Sequence, residues 1–174
     1  PERILEECKI VGYETVACPW LDDEYHNEYG FKKVANEFNK AGKYFYDNGV
    51  ILVYHNHGFE FKKYNGKTGF EIMMEETDPR YLQTEIDTYW VQYAGGDPVE
   101  WILKYKGRCP IVHLKDMMIK NNWEHQMMEI GEGNLNWESI FKALKEVGTK
   151  WYVVEQDNCN DRGPFESVKI SLQN

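Results

Sequence analysis

Amphipathic stretches with helical spacing end in glycine along this chain, and a short run of β-branched and aromatic residues follows each within a few positions. Gly12 precedes Tyr13-Glu14-Thr15-Val16-Ala17-Cys18, and Gly49 precedes Val50-Ile51-Leu52-Val53-Tyr54. Gly107 precedes Ile111-Val112-His113-Leu114, and Gly148 precedes Trp151-Tyr152-Val153-Val154. Glycine accepts the left-handed conformation that closes a helix, so the pattern predicts helix ends leading into strands. A fifth strand, Tyr81 to Ile86, is predicted after Asp78-Pro79, where proline stops the preceding helix. Helix starts are marked by the capping-box spacing of Thr68 and Glu71, by Asp97 before Pro98, and by Asn136. Helices alternating with mostly apolar strands predict a parallel sheet covered by helices. Two architectures share this rhythm: an open five-stranded sheet of flavodoxin type, and five consecutive units of an eight-stranded β/α barrel.

Composition narrows the class. The chain has 174 residues, 42% of them hydrophobic and 15% aromatic, which suits one domain spanning residues 1–174. No stretch of about eighteen apolar residues occurs, which argues against a membrane span. The formal net charge of -9 argues against nucleic acid, whose phosphates call for clustered Lys and Arg. Cys8, Cys18, Cys109 and Cys159 have no Cys-x-x-Cys or framework spacing, so four reduced thiols in a cytoplasmic protein are expected. The sequence opens at Pro1 inside a predicted helix, so the lack of a leader says little and an exported form stays open.

Both architectures place function beyond the C-terminal ends of the strands. Those positions hold His55-Asn56-His57, then Asp87, then His113 with Lys115 and Asp116, and finally Glu155-Gln156-Asp157. Four successive strands thus deliver a His, Asp or Glu at one level, a donor mixture that suits Zn, Mn, Fe or Co. Each residue has another reading when taken alone: His55, His57 and His113 as hydrogen-bonded core histidines, Asp87 as a cap on the following turn, Glu155 as the partner of a lysine. Four coincidences at one level favour a metal. His26 and His125 lie in polar stretches and read as surface histidines, and Gly131-Glu132-Gly133 lacks the spacing of a nucleotide loop. Trp20 and Trp90 follow strand ends and are candidates to stack on a sugar, although aromatics are also ordinary packing material.

The segments Tyr54-His55-Asn56-His57-Gly58-Phe59-Glu60-Phe61, Glu85-Ile86-Asp87-Thr88-Tyr89-Trp90, His113-Leu114-Lys115-Asp116, Ile130-Gly131-Glu132-Gly133 and Val154-Glu155-Gln156-Asp157 resemble the bacterial sugar phosphate isomerase/epimerase family. That family belongs to the xylose isomerase-like barrel superfamily, with inosose dehydratase, ketose 3-epimerases and 3-keto-glycoside epimerases as relatives. The resemblance implies a TIM barrel of which this chain holds the C-terminal five βα units, strands 4–8, with the first three units missing. It also implies one divalent metal, Mn2+ first, with Zn2+, Co2+, Fe2+ or Mg2+ as alternatives. Asp87, His113 and Glu155 fall on three of the family's ligand positions; His55 falls where the family usually has a glutamate. Trp90 stands where the ketose 3-epimerases place a substrate-binding histidine, which weakens the case for their particular chemistry.

The expected function is a metal-dependent isomerase or epimerase acting on a sugar or cyclitol. It would remove a proton α to a carbonyl and pass through a metal-bound enediolate. Glu155 is the candidate base, Lys115 a stabiliser of developing charge, and His55, His57 or Glu60 a second acid/base group. Trp90, Trp20 and Asp116 are candidate substrate contacts. The alternative at the same site is a lyase or dehydratase acting on a keto-sugar, keto-glycoside or inosose. A DNA-repair endonuclease of the same superfamily has the wrong charge, and a non-catalytic carbohydrate-binding remnant is a more distant reading. A carbohydrate is the expected partner, with no nucleic acid or membrane, and self-assembly is left open.

Overall fold

The computed structural model of the protein describes residues 1–174. In chain order the elements are α1 (Glu2–Val11), β1 (Thr15–Cys18), α2 (Glu28–Asp47), β2 (Ile51–His55), β3 (Lys63–Tyr64), β4 (Lys67–Thr68), α3 (Gly69–Glu75) and β5 (Gln83–Asp87). They continue with α4 (Thr88–Tyr93), α5 (Pro98–Lys104), β6 (Ile111–Leu114), β7 (Asp116–Ile119), β8 (His125–Met128), α6 (Trp137–Val147), β9 (Trp151–Val154) and α7 (Pro164–Gln173). The five expected strands are β1, β2, β5, β6 and β9, hydrogen-bonded in that order in one sheet. Strand order follows chain order without reversal. A flavodoxin-type sheet would reverse at a switch point, so the order is that of consecutive β/α-barrel units. No helix is long and apolar enough to cross a membrane.

The chain divides into two compact units, Pro1–Glu85 and Ile86–Asn174, and the division falls inside β5. In the first unit β1 pairs parallel with β2, and β2 pairs parallel with the start of β5, setting His55 opposite Glu85. Helix α2 buries Phe31, Val34, Ala35, Phe38, Gly42 and Phe45, a stripe at three- and four-residue spacing. Phe38 meets the buried Tyr54 at 5.7 Å between ring centroids, and Tyr54 meets Phe70 of α3 at 6.2 Å. Gly42 is required by a close approach: a Cβ there would stand 1.9 Å from the Tyr81 carbonyl oxygen. The Thr68–Glu71 capping box is formed at the start of α3.

In the second unit β6 pairs parallel with β9, with His113 opposite Val153. Helix α6 buries Ile140, Ala143, Leu144 and Val147 on one side and ends at Gly148 with φ 81. The Asp97 and Asn136 caps form as the sequence predicts. The antiparallel hairpin β7–β8, between β6 and α6, has no clear mark in the sequence, because Asp116–Met128 carries no strong alternation. All four cysteines are free thiols.

Candidate metal centre

Asp87 ends β5 and also caps α4, and its two carboxylate oxygens divide these duties. Oδ1 accepts a hydrogen bond from the Trp90 backbone N–H at 3.0 Å. Oδ2 faces His113 Nδ1 at 4.0 Å and Lys115 Nζ at 3.9 Å. Its side chain is fully buried, so the cap holds the second oxygen in one orientation. Glu155 follows β9 directly, and its backbone N–H extends the β6–β9 ladder by donating to the Leu114 carbonyl. Its Oε2 lies 3.1 Å from His113 Nδ1 and 3.2 Å from Lys115 Nζ. The hydrogen bond with His113 and the nearby Lys115 charge outweigh partial burial and hold the Glu155 carboxyl at about 2.

Lys115 sits between β6 and β7 with only 1% of its side chain exposed. Thr88 locks its backbone twice, donating to the Lys115 carbonyl at 2.9 Å and accepting from its N–H at 3.0 Å. The ammonium reaches Glu155 and Asp157 and lies over the rings of Tyr89 and Trp90 at 5.7 and 5.5 Å. Burial pulls its pKa down, but Asp87, Asp157 and Glu155 together push it above the ordinary value.

Within the second unit, one donor atom from each of Asp87, His113 and Glu155 lies within 4.8 Å of the others. An imidazole nitrogen and two carboxylate oxygens form a donor set for a divalent transition metal. The charge agrees. Asp87, Glu155 and Asp157 set three carboxylates against the single Lys115 ammonium. Two negative charges are left over, which one divalent cation neutralises. The residues present therefore fit such an ion.

The remaining expected residues divide into two environments. His57 packs edge-on to His55 at 4.8 Å and to the half-exposed Trp20 at 4.8 Å. Glu60 is completely buried, with Oε1 accepting from Tyr54 Oη at 2.7 Å and Oε2 from the His57 N–H at 3.0 Å. Burial raises its pKa. Glu60 thus holds the turn that carries His57 and has no oxygen facing outward. His26, read as a surface histidine, instead stacks on Phe59 at 3.6 Å, with Nε2 2.9 Å from the Leu21 carbonyl oxygen. Asp116, expected at the substrate, is fully buried and organises the loop before α6. Its carboxylate accepts from the backbone N–H groups of Met117, Gly131, Gly133 and Leu135 and from the Trp137 indole at 2.7 Å. A Cβ at Gly133 would stand 2.3 Å from Asp116 Oδ1, so the Gly131-Glu132-Gly133 segment lets backbone close on this carboxylate.

The sequence profile described as Xylose isomerase-like TIM barrel matches residues 2–172. The chain belongs to this family. Among curated relatives it is 32% identical to the inosose dehydratase of Clostridium botulinum (strain Alaska E43 / Type E3) over 157 residues, 80% of this chain and 51% of the relative. It is 31% identical to the inosose dehydratase of Clostridium beijerinckii over 160 residues, 82% of this chain and 52% of the relative. Among solved structures, a sugar phosphate isomerase/epimerase from Parabacteroides distasonis superposes with a TM-score of 0.84 at 30% identity, over 99% of this chain and 60% of that one. The chain thus spans about half the length of the curated relatives it matches.

Proposed function

We propose that the protein acts as a divalent-metal-dependent lyase, removing water from an inosose or a related cyclic hydroxy-ketone. The Asp87, His113 and Glu155 donors beside a buried lysine carry this reading, in a chain about a third identical to proteins named inosose dehydratase. The sequence alone favours isomerisation or epimerisation over dehydration, and the relatives named inosose dehydratase support the reverse order. His55, Asp87, His113 and Glu155 are the proposed ligands, and Mn2+ the proposed ion. Bound there, the ion would supply Lewis acidity towards a carbonyl oxygen, which makes the neighbouring C–H more acidic.

The chain's own residues supply the proton traffic. Glu155 is ionised at neutral pH and takes the proton α to the carbonyl; the electron pair of that C–H bond becomes the new C=C bond. The C–O bond to the β-hydroxyl breaks, and Lys115, held protonated by its carboxylate neighbours, gives the proton with which that group leaves as water. The proton on Glu155 then returns to Lys115 across their 3.2 Å contact, restoring both groups. Epimerisation shares the first step and differs in returning the proton to carbon. It is the second reading, supported by the Parabacteroides relative.

Incubation of the Mn2+-loaded protein with an inosose in D2O separates the two. Loss of one water by mass spectrometry, with a new conjugated-ketone absorbance, supports the lyase. Deuterium at the α carbon of a product that keeps all its oxygens replaces it by an epimerase. Neither product, tested over a series of ketoses and inososes, overturns both.

A further inference from the structure

The strongest buried charge cluster outside the centre surrounds Glu129, the residue after β8. Its side chain is 1% exposed, and three donors converge on it. Oε1 accepts from Ser167 Oγ at 2.6 Å and from Gln156 Nε2 at 3.4 Å, while Oε2 pairs with the Arg162 guanidinium at 2.5 Å. Burial alone would raise its pKa, but these hydrogen bonds, a backbone bond and the Arg162 charge reverse the shift, so the group stays ionised. None of the three donors lies in a strand. Gln156 stands between Glu155 and Asp157, Arg162 is six residues further on, and Ser167 is in α7. One carboxylate therefore holds the beginning, the middle and the helical end of the segment after β9. That segment carries both Glu155 and Asp157, two of the three carboxylates around the Lys115 ammonium.

A further bond fastens the same segment to the β8 strand: Asn160 Nδ2 donates to the Met127 carbonyl at 3.0 Å. Glu129 differs from this contact in being charged and in gripping the residue next to the proposed ligand. Gln156 is bonded along the chain to both neighbours, so a hold on its side chain limits the movement of the backbone from which Glu155 and Asp157 project. Replacing the carboxylate by an amide puts an N–H2 where at least one donor already points, and that conflict cannot be relieved by water in a closed site.

We infer that Glu129 is a positioning residue for the metal centre, acting through Gln156 to aim Glu155. This rests on the metal reading above. Partners that orient a ligand without touching the ion commonly change metal affinity about 10- to 100-fold when removed.

The test measures Mn2+ affinity from the free-ion electron paramagnetic resonance signal, alongside thermal unfolding of the chelator-treated protein, in the full chain and three variants. Glu129→Gln is expected to weaken Mn2+ binding roughly tenfold and to lower kcat more than it changes KM. Gln156→Ala is expected to weaken Mn2+ binding while leaving apo-protein unfolding near that of the parent, because its side chain is only partly buried. Ser167→Ala removes the tie between Glu129 and α7 but keeps the Gln156 contact, so it should lower the unfolding temperature and weaken Mn2+ binding less than Gln156→Ala does. This opposite ranking in two variants is what a merely structural clamp cannot produce. If Gln156→Ala binds Mn2+ like the parent, the inference is overturned, whether or not Glu129→Gln folds. If the parent itself binds no stoichiometric Mn2+, the metal reading falls and this inference falls with it.

Discussion

Asp87 does two jobs with one carboxylate, and substitutions can separate them. Asparagine keeps an oxygen for the Trp90 N–H but loses the charge, whereas alanine loses both. Asp87→Asn is expected to abolish Mn2+ binding and activity with little change in stability. Asp87→Ala should lose the same function and about 1 kcal/mol besides, from the missing cap. Metal titration and chemical denaturation of the two variants check this, and equal stability losses would deny the cap its part. The same residue shows what a sequence can and cannot disclose. Its place at a strand end was legible, and so were both roles, which appeared to be rivals. That one oxygen could serve each became visible only when the helix turn after it was built. Thr88 and Glu129 carry no such mark: Thr88 acts through backbone 27 residues away, and Glu129 acts on a loop it meets only in the folded chain.

Elements were legible where local chemistry decides them. The Thr68–Glu71 box, the Asp97 and Asn136 caps and the glycine caps at Gly12 and Gly148 are set by neighbours in sequence and form as read. Helices α2 and α5 are instead capped by Asn48 and Tyr105, and Gly49 and Gly107 take the left-handed conformation in the turns that follow. The β7–β8 hairpin was not legible, because much of what fixes it is remote: Asp116 at its start is tied to backbone 15 to 19 residues later. Two predictions belong to this scale. Gly133→Ala would push a methyl group into a carboxylate already held by five donors, so a loss of about 1–3 kcal/mol is expected by denaturant titration. Gly163, with nothing within 4 Å of an added Cβ, is the control that should change little when converted to alanine. Glu129 carries the second. Its folded pKa lies below its ordinary 4.5, so the unfolded chain takes up the proton first as the pH falls. Its contribution is complete above the unfolded value and disappears as the pH drops through the folded one. Glu129→Gln should therefore be less stable than the parent near neutrality and converge with it in acid, as denaturation curves at a series of pH values would show. A constant gap down to the lowest pH would contradict the assignment.

For the whole molecule, strand order carries the most information. Helix and strand rhythm alone left an open flavodoxin-type sheet in play, and the uninterrupted order β1-β2-β5-β6-β9 removes it. Burial follows from the same order. Strands β2 and β5 lie inside the sheet and are buried over four of their five residues, while the terminal strand β9 shows Trp151, Tyr152 and Val153 to solvent. Residue polarity could not foresee this: β5 is the mostly polar run Gln83-Thr84-Glu85-Ile86-Asp87 and is buried, while β9 is the apolar run Trp151-Tyr152-Val153-Val154 and is largely exposed. An ion that binds the folded chain alone must stabilise it by mass action. At about a hundred times its dissociation constant, Mn2+ is expected to add about 2.7 kcal/mol to unfolding, and a chelator should take that away. Calorimetry with and without chelator measures it, and an unchanged transition would speak against a resident ion.

The closeness of Gly133 to Asp116 has an evolutionary side. A lineage cannot place a side chain at 133 while it keeps the carboxylate at 116, and one that gives up the carboxylate loses the reason for glycine. The two positions, 17 residues apart, are therefore expected to covary among descendants of this chain, with a side chain at 133 only where the carboxylate at 116 is gone.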